Sequence, residues 1–128
     1  MNRQLHEMLF REFVKYALTA LTNHLHSISM KIEIASHQLA SLGNPIRLKL
    51  YRALVRAGRD GLPCGVLQEK LDIAASTLSH HIKHLMEAGL IRQERQGTTL
   101  FCQANYPAMH ALVGYLVEAC CADQRCKP

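Results

Sequence analysis

Residues 75–104 read ASTLSHHIKHLMEAGLIRQERQGTTLFCQA, and this run decides the fold. Its first half has a helical period. At 100° per residue, Leu78, Ile82, Leu85 and Met86 fall on one face. Ser76, Thr77, His80, Lys83, His84 and Glu87 fall on the opposite face, with Ser79 and His81 on the flanks. Gly89 stops the helix. The period then changes to two: residues 90–95 alternate, Gln96-Gly97 is a tight-turn pair, and residues 98–103 alternate back. That pattern predicts a β-hairpin.

Upstream of this run, residues 63–71 predict a helix, and Asp72-Ile73-Ala74 a brief turn. Helix, short turn, helix and hairpin is the order of a winged helix-turn-helix. Asn44 and Pro45 predict a capped helix start that continues to about Ala57 and ends at Gly58. Residues 34–42 form a shorter helix closed by Gly43. Residues 5–25 form another, with Leu5, Met8, Leu9, Phe13, Tyr16, Leu18, Leu21 and Leu25 as its apolar positions. Downstream, Asn105-Tyr106-Pro107 opens a last helix that runs to about Cys121. The expected fold is mostly α with a small β-hairpin: a winged helix-turn-helix. Residues 1–29 are expected to be a helical N-terminal extension. Residues 30–122 then form the DNA-binding and dimerisation domain, and residues 123–128 a flexible Cys-containing tail.

The chain has 128 residues, one domain's worth, and 48% apolar with 20% charged residues excludes wholesale disorder. No stretch approaches the ~20 apolar residues of a membrane span. The N-terminus lacks the pattern of an export signal, so a cytoplasmic protein is expected. Five cysteines (Cys64, Cys102, Cys120, Cys121 and Cys126) are an odd number and include an adjacent pair. Thiol chemistry or metal binding is favoured over a disulfide framework. Paired carboxylates, a P-loop and a GxGxxG run are all absent, which argues against an enzyme.

The net charge of +5 invites a polyanion partner. Residues 30–62 hold six basic and two acidic groups, so Lys31, Arg47, Lys49, Arg52, Arg56 and Arg59 carry most of the excess. They are interleaved with Ile46, Leu48, Leu50, Leu54 and Val55, as on a helix with a basic outer face. The outer face of residues 75–88 offers short hydroxyls near its start and longer donors farther on. Side chains of this kind reach base edges and phosphates in a major groove. A solvated helix face is the plain alternative, and the hairpin directly downstream favours DNA. Candidate DNA contacts are Ser76, Thr77, Ser79, His80, His81, Lys83 and His84. Arg92, Arg95 and Thr98 near the hairpin tip are placed for a neighbouring phosphate or minor groove.

From about residue 34 to 121 the chain resembles the ArsR/SmtB family of winged helix-turn-helix metal-sensing regulators. The resemblance is carried by Leu42-Gly43-Asn44-Pro45-Ile46-Arg47-Leu48, by residues 76–85, and by Ala88-Gly89-Leu90-Ile91. Arg95-Gln96-Gly97-Thr98 and Ala104-Asn105-Tyr106 match as well. It implies a homodimeric repressor that leaves double-stranded operator DNA when a thiophilic metal or metalloid binds. Met30 sits where many members begin, so residues 1–29 read as either an extra dimerisation helix or an over-extended start.

The family's known sensor sites do not transfer directly. The Cys-Val-Cys box aligns with Pro63-Cys64-Gly65, which loses both ligand positions and leaves Cys64 as a small hydrophobe. The zinc-type positions hold Asn105, Pro107, Glu118 and Cys121. Redox-sensing relatives pair an early-helix Cys with a last-helix Cys, and residues 44–58 contain none. Cys120 and Cys121 remain, and some members resemble this chain in using such a C-terminal pair for arsenicals. Thiolates are soft ligands. The expected inducer is therefore a trivalent arsenic species, arsenite or methylarsenite, with antimonite as a further candidate.

Two third sulfurs stay open. Cys126 can fold back within one subunit. Cys102 can approach the pair across a dimer seam formed by Met109, Leu112, Val113, Leu116, Val117 and Cys120. A core position for Cys102 is the plain alternative. The rival functions are a thiol redox-sensing repressor using Cys120, Cys121 and Cys102, and a thiol-based metal carrier.

Overall fold

The computed structural model describes residues 11, 14, 15 and 30–123. The expected helix over residues 5–25 and the tail from residue 124 lie outside these, apart from Arg11, Val14 and Lys15, which are helical. In chain order the elements are α1 (Ile32–Leu42), α2 (Pro45–Ala57), β1 (Leu62–Pro63), α3 (Cys64–Leu71) and α4 (Ala75–Glu87). β2 (Ile91–Gln96), β3 (Thr99–Ala104) and α5 (Tyr106–Val117) follow. They fall into two compact units. One is residues 31–109; the other holds residues up to 30 and from 110 onward, so α5 begins in the first and continues into the second.

Local chemistry sets the boundaries of α2 as its sequence implies. Asn44 Oδ1 accepts from the backbone N–H of Ile46 and of Arg47 at 3.0 and 3.1 Å, and Pro45 occupies the first helical position. Between α3 and α4 the chain turns at Asp72, whose φ of 50° is left-handed. Leu50, Tyr51 and Leu54 of α2 pack with Leu67 of α3, Leu78, Ile82 and Leu85 of α4, and Leu90, Ile91, Cys102 and Ala104 of the sheet region. This single core fixes the angle between α4 and the wing. Tyr106 adds a staple by donating its hydroxyl to Val55 O at 2.9 Å, and burial pushes the Tyr51 phenol up to about 12.

The sheet has three antiparallel strands in the order β1-β3-β2, where the sequence shows only a hairpin. Leu62 pairs with Cys102 and Pro63 with Phe101. A two-residue strand has no readable period, and Pro63 is tolerated because β1 lies at the sheet edge. Gly61 makes the pairing feasible: its φ is +69°, and a Cβ there would collide with Cys102 O and the Gln103 side chain. The hairpin turn is Gly97-Thr98, one residue later than the alternation suggests, with Gln96 opposite Thr99. The last helix also ends earlier than expected. It stops at Val117, and Ala119 and Cys121 adopt φ of 52° and 60°, so the chain leaves α5 through turns.

Candidate nucleic-acid interface and thiol sites

In the larger unit, α4 buries Leu78, His81, Ile82 and Leu85. These positions are spaced i, i+3, i+4 and i+7, a narrower stripe than the sequence arc, and this corrects two expectations. Met86 is 41% exposed, and His81 is 7% exposed. His81 is therefore an interior side chain, not a base contact. Its pKa is lowered by burial first, then by Arg47, His80 and His84, and its Nδ1 lacks a hydrogen-bond partner. Interior packing thus favours the neutral form of this ring.

Ser76, Thr77, Ser79, His80, Lys83 and Glu87 are exposed on the other side, and His84 is half-buried. His80 and His84 share a hydrogen bond between their Nε2 atoms at 3.2 Å, with rings edge to face at 4.5 Å. In that bond one ring nitrogen donates and the other accepts. Lys83 lies 3.9 Å from Glu87, an exposed pair worth little in stability that nonetheless offsets the helix's one lysine. The face is thus nearly neutral and rich in short donors, suited to base edges. Arg92, Arg95 and Thr98 are exposed on the hairpin, where the two arginines add positive charge beside α4.

The basic surplus of residues 30–62 divides in two. Arg47 turns back, its Nε donating to Ser41 O and an Nη to Ala40 O, and so satisfies carbonyls at the end of α1. Its charge belongs to the fold. Lys49, Arg52 and Arg56 are exposed and line a groove of about 420 Å³ with Pro45, Leu48 and Ala53.

The four described cysteines separate into distinct settings. Cys102 is wholly buried on β3, its Sγ 3.4 Å from Cys64 Sγ, and its thiol is pushed up to about 12 by burial and by Cys64. An enclosed, protonated thiol cannot bridge to another subunit, so Cys102 is corrected from a candidate third ligand to a core residue. Alternation on strands could not reveal the Cys64–Cys102 pair, because β1 itself was unreadable. In the smaller unit, Cys120 and Cys121 are exposed on the turns after α5, with sulfurs 3.6 Å apart. Cys120 is a free thiol and Cys121 is disulfide-bonded. Cys126 lies outside the described residues. Among the described residues no group of three or more His, Cys, Asp or Glu is arranged to hold a metal ion. The expected apolar seam on α5 also narrows. Met109 packs on the core and Leu112 is buried, while Val113, Leu116 and Val117 are 54–59% exposed.

A helix, a turn and a helix on one core, followed by a wing, define a winged helix-turn-helix DNA-binding protein. The helix-turn-helix domain family model matches residues 42–94. The uncharacterised HTH-type transcriptional regulator YceK of Bacillus subtilis is 33% identical over 69 residues, covering 54% of this chain and 68% of that protein. The crystal structure of an ArsR family transcriptional regulator superposes with a TM-score of 0.60 at 25% identity, over 70% of this chain and 89% of the other. The homodimeric winged helix-turn-helix DNA-binding domain from Mycobacterium bovis shares the fold, with a TM-score of 0.56, 16% identity, and coverage of 76% and 90%. The chain belongs to the ArsR family of winged helix-turn-helix transcriptional regulators. Its relatives are transcriptional regulators, which are not enzymes. Among the described residues no helix is long and apolar enough to cross a membrane.

Proposed function

We propose that this regulator is a homodimeric cytoplasmic repressor that releases its operator when a trivalent arsenical is held by Cys120 and Cys121, with Cys126 as the third sulfur. The observation that carries this reading is the 3.6 Å approach of the Cys120 and Cys121 sulfurs on an exposed turn. Two soft donors side by side suit a thiophilic acceptor and disfavour hard cations. Cys126 follows Cys121 by five residues and needs no second subunit. Because Cys121 is disulfide-bonded in this structure, the competent state is the reduced one that a cytoplasm maintains. Val113, Leu116 and Val117 offer the apolar surface for self-association, and the Mycobacterium bovis relative is itself homodimeric. Operator is read by Thr77 and His80 and anchored by Lys83, Arg92 and Arg95.

Arsenical chemistry contributes a three-coordinate soft centre that cross-links thiolates. The chain's own part is to couple that link to a dimer arrangement that fits the operator less well. The test is a reduced operator complex titrated in turn with arsenite, methylarsenite and antimonite. Release is expected to vanish in Cys120→Ser and in Cys121→Ser with operator affinity unchanged. Cys126→Ser is expected to lose the arsenite response and keep the methylarsenite response, since a methylated arsenical needs only two thiolates. Full release in the Cys120→Ser/Cys121→Ser double variant overturns the assignment. On the DNA side, Lys83→Ala or Arg95→Ala weakens binding to all sequences, whereas Thr77→Ala or His80→Ala relaxes base preference.

A further inference from the structure

The sheet carries a second thiol pair that neither operator contact nor the C-terminal cysteines use. Leu62 on β1 stands opposite Cys102 on β3, and Cys102 stands opposite Gln93 on β2. Opposed residues share a face, so Leu62, Gln93 and Cys102 lie together, and Cys64 at the start of α3 brings its sulfur to within 3.4 Å of Cys102 Sγ. Gln93 Nε2 donates to Cys64 Sγ at 3.3 Å and lies 3.9 Å from Cys102 Sγ. Both cysteines are free thiols; Cys64 is half-buried at the first residue of α3, and Cys102 is enclosed. A disulfide needs its sulfurs about 2.05 Å apart, so from 3.4 Å they close by roughly 1.4 Å.

We propose that Cys64 and Cys102 are a reversible oxidation site, converted to a disulfide by a hydroperoxide, which gives this regulator a second input independent of Cys120 and Cys121. Cys64 is the half-buried, and so the more accessible, residue of the pair. It attacks one peroxide oxygen, the O–O bond breaks, the alcohol or water leaves, and Cys64 becomes a sulfenic acid. Cys102 then attacks the Cys64 sulfur. The S–S bond forms, the S–O bond breaks, and the hydroxyl leaves as water with the proton of Cys102. Each sulfur gives up one electron and the peroxide takes two. The Gln93 amide N–H supports the negative charge that develops on sulfur. Cys102, high in pKa and enclosed, stays inert until its neighbour has been oxidised.

The bond joins two parts that meet DNA. Cys64 opens α3, which packs under α4, and Cys102 belongs to the wing that carries Arg92 and Arg95. Drawing the first turn of α3 toward β3 shifts α4 against the wing and weakens operator binding.

The test uses the full chain with Cys120, Cys121 and Cys126 replaced by serine, so that only Cys64 and Cys102 can react. Hydrogen peroxide is expected to remove both titratable thiols and to yield a peptide linking residues 64 and 102. Operator affinity should fall by about tenfold, with dithiothreitol restoring both thiols and affinity. Cys64→Ser in the same background should bind operator normally and show neither change. The proposal is overturned if Cys64 and Cys102 both remain alkylatable in denaturant after peroxide, or if the disulfide forms and operator affinity stays the same. Either result leaves the arsenical reading of Cys120 and Cys121 untouched, because those residues are absent from the tested protein.

Discussion

Two cysteine pairs in this chain have nearly the same sulfur spacing, 3.4 Å for Cys64 with Cys102 and 3.6 Å for Cys120 with Cys121, and opposite surroundings. The first sits in a sheet core against Gln93, with one sulfur sealed from solvent. The second stands on exposed turns where α5 has ended. Proximity is therefore common to both, and access separates them. Once Cys121 is reduced, as the proposed function requires, the exposed pair is accessible to a soft ligand arriving from solution. A closed pair can only react with what passes Cys64, and its natural product is a bond within the pair. Burial thus gives one residue type two different accessibilities.

Alkylation gives the largest test of that contrast. Raising the Cys102 thiol from 9.0 to about 12 lowers its thiolate fraction near neutral pH by about a thousandfold, before its enclosure is counted. Iodoacetamide is expected to label Cys120 first and Cys102 only on unfolding, by mass spectrometry of timed samples. Equal labelling of the two in folded protein would show that the sheet is open. A smaller effect comes from Gly61. Its positive φ and the closeness of Cys102 O predict that Gly61→Ala costs about 2–4 kcal/mol in denaturant melts and loosens β1 from β3. Cys102 should then become labelled in the folded state while Cys120 is unaffected.

Truncation distinguishes the pairs more finely. Cys102→Ala removes a fully enclosed sulfur and is expected to cost about 1 kcal/mol. Cys120→Ala should stay within about 0.5 kcal/mol, as exposed substitutions do. The smallest effect concerns protons. The folded-state pKa of His81 lies below its unfolded value of 6.5, so the unfolded chain binds the extra proton first. Stability from this residue is complete above that value and declines as pH falls through 6.5 toward the lowered folded value. Denaturant midpoints between pH 7 and 5 should fall more steeply for the native chain than for His81→Gln; parallel slopes would remove His81 as the cause.

The residues that read most clearly are those whose structure depends on near neighbours. Asn44 and Pro45 set a helix start, Gly89 ends α4, and the change of period after it marks the wing, because capping, chirality and alternation act over a few residues. The same locality made the outer face of α4 legible from Ser76 to Glu87, and the adjacency of Cys120 and Cys121 needed no fold at all. Where contacts are distant in sequence, only the folded chain decided the outcome. His81 turned inward and Met86 outward because Leu50, Leu54 and the wing define which arc of α4 is covered, and that surface does not exist in the helix alone. Arg47 became a helix-end donor because α1 stops beside it. Cys64 and Cys102, 38 residues apart, met because a two-residue strand at Leu62 and Pro63 pairs with β3, and such a pairing is fixed by Gly61 and by the core beneath it, not by any periodicity along the chain.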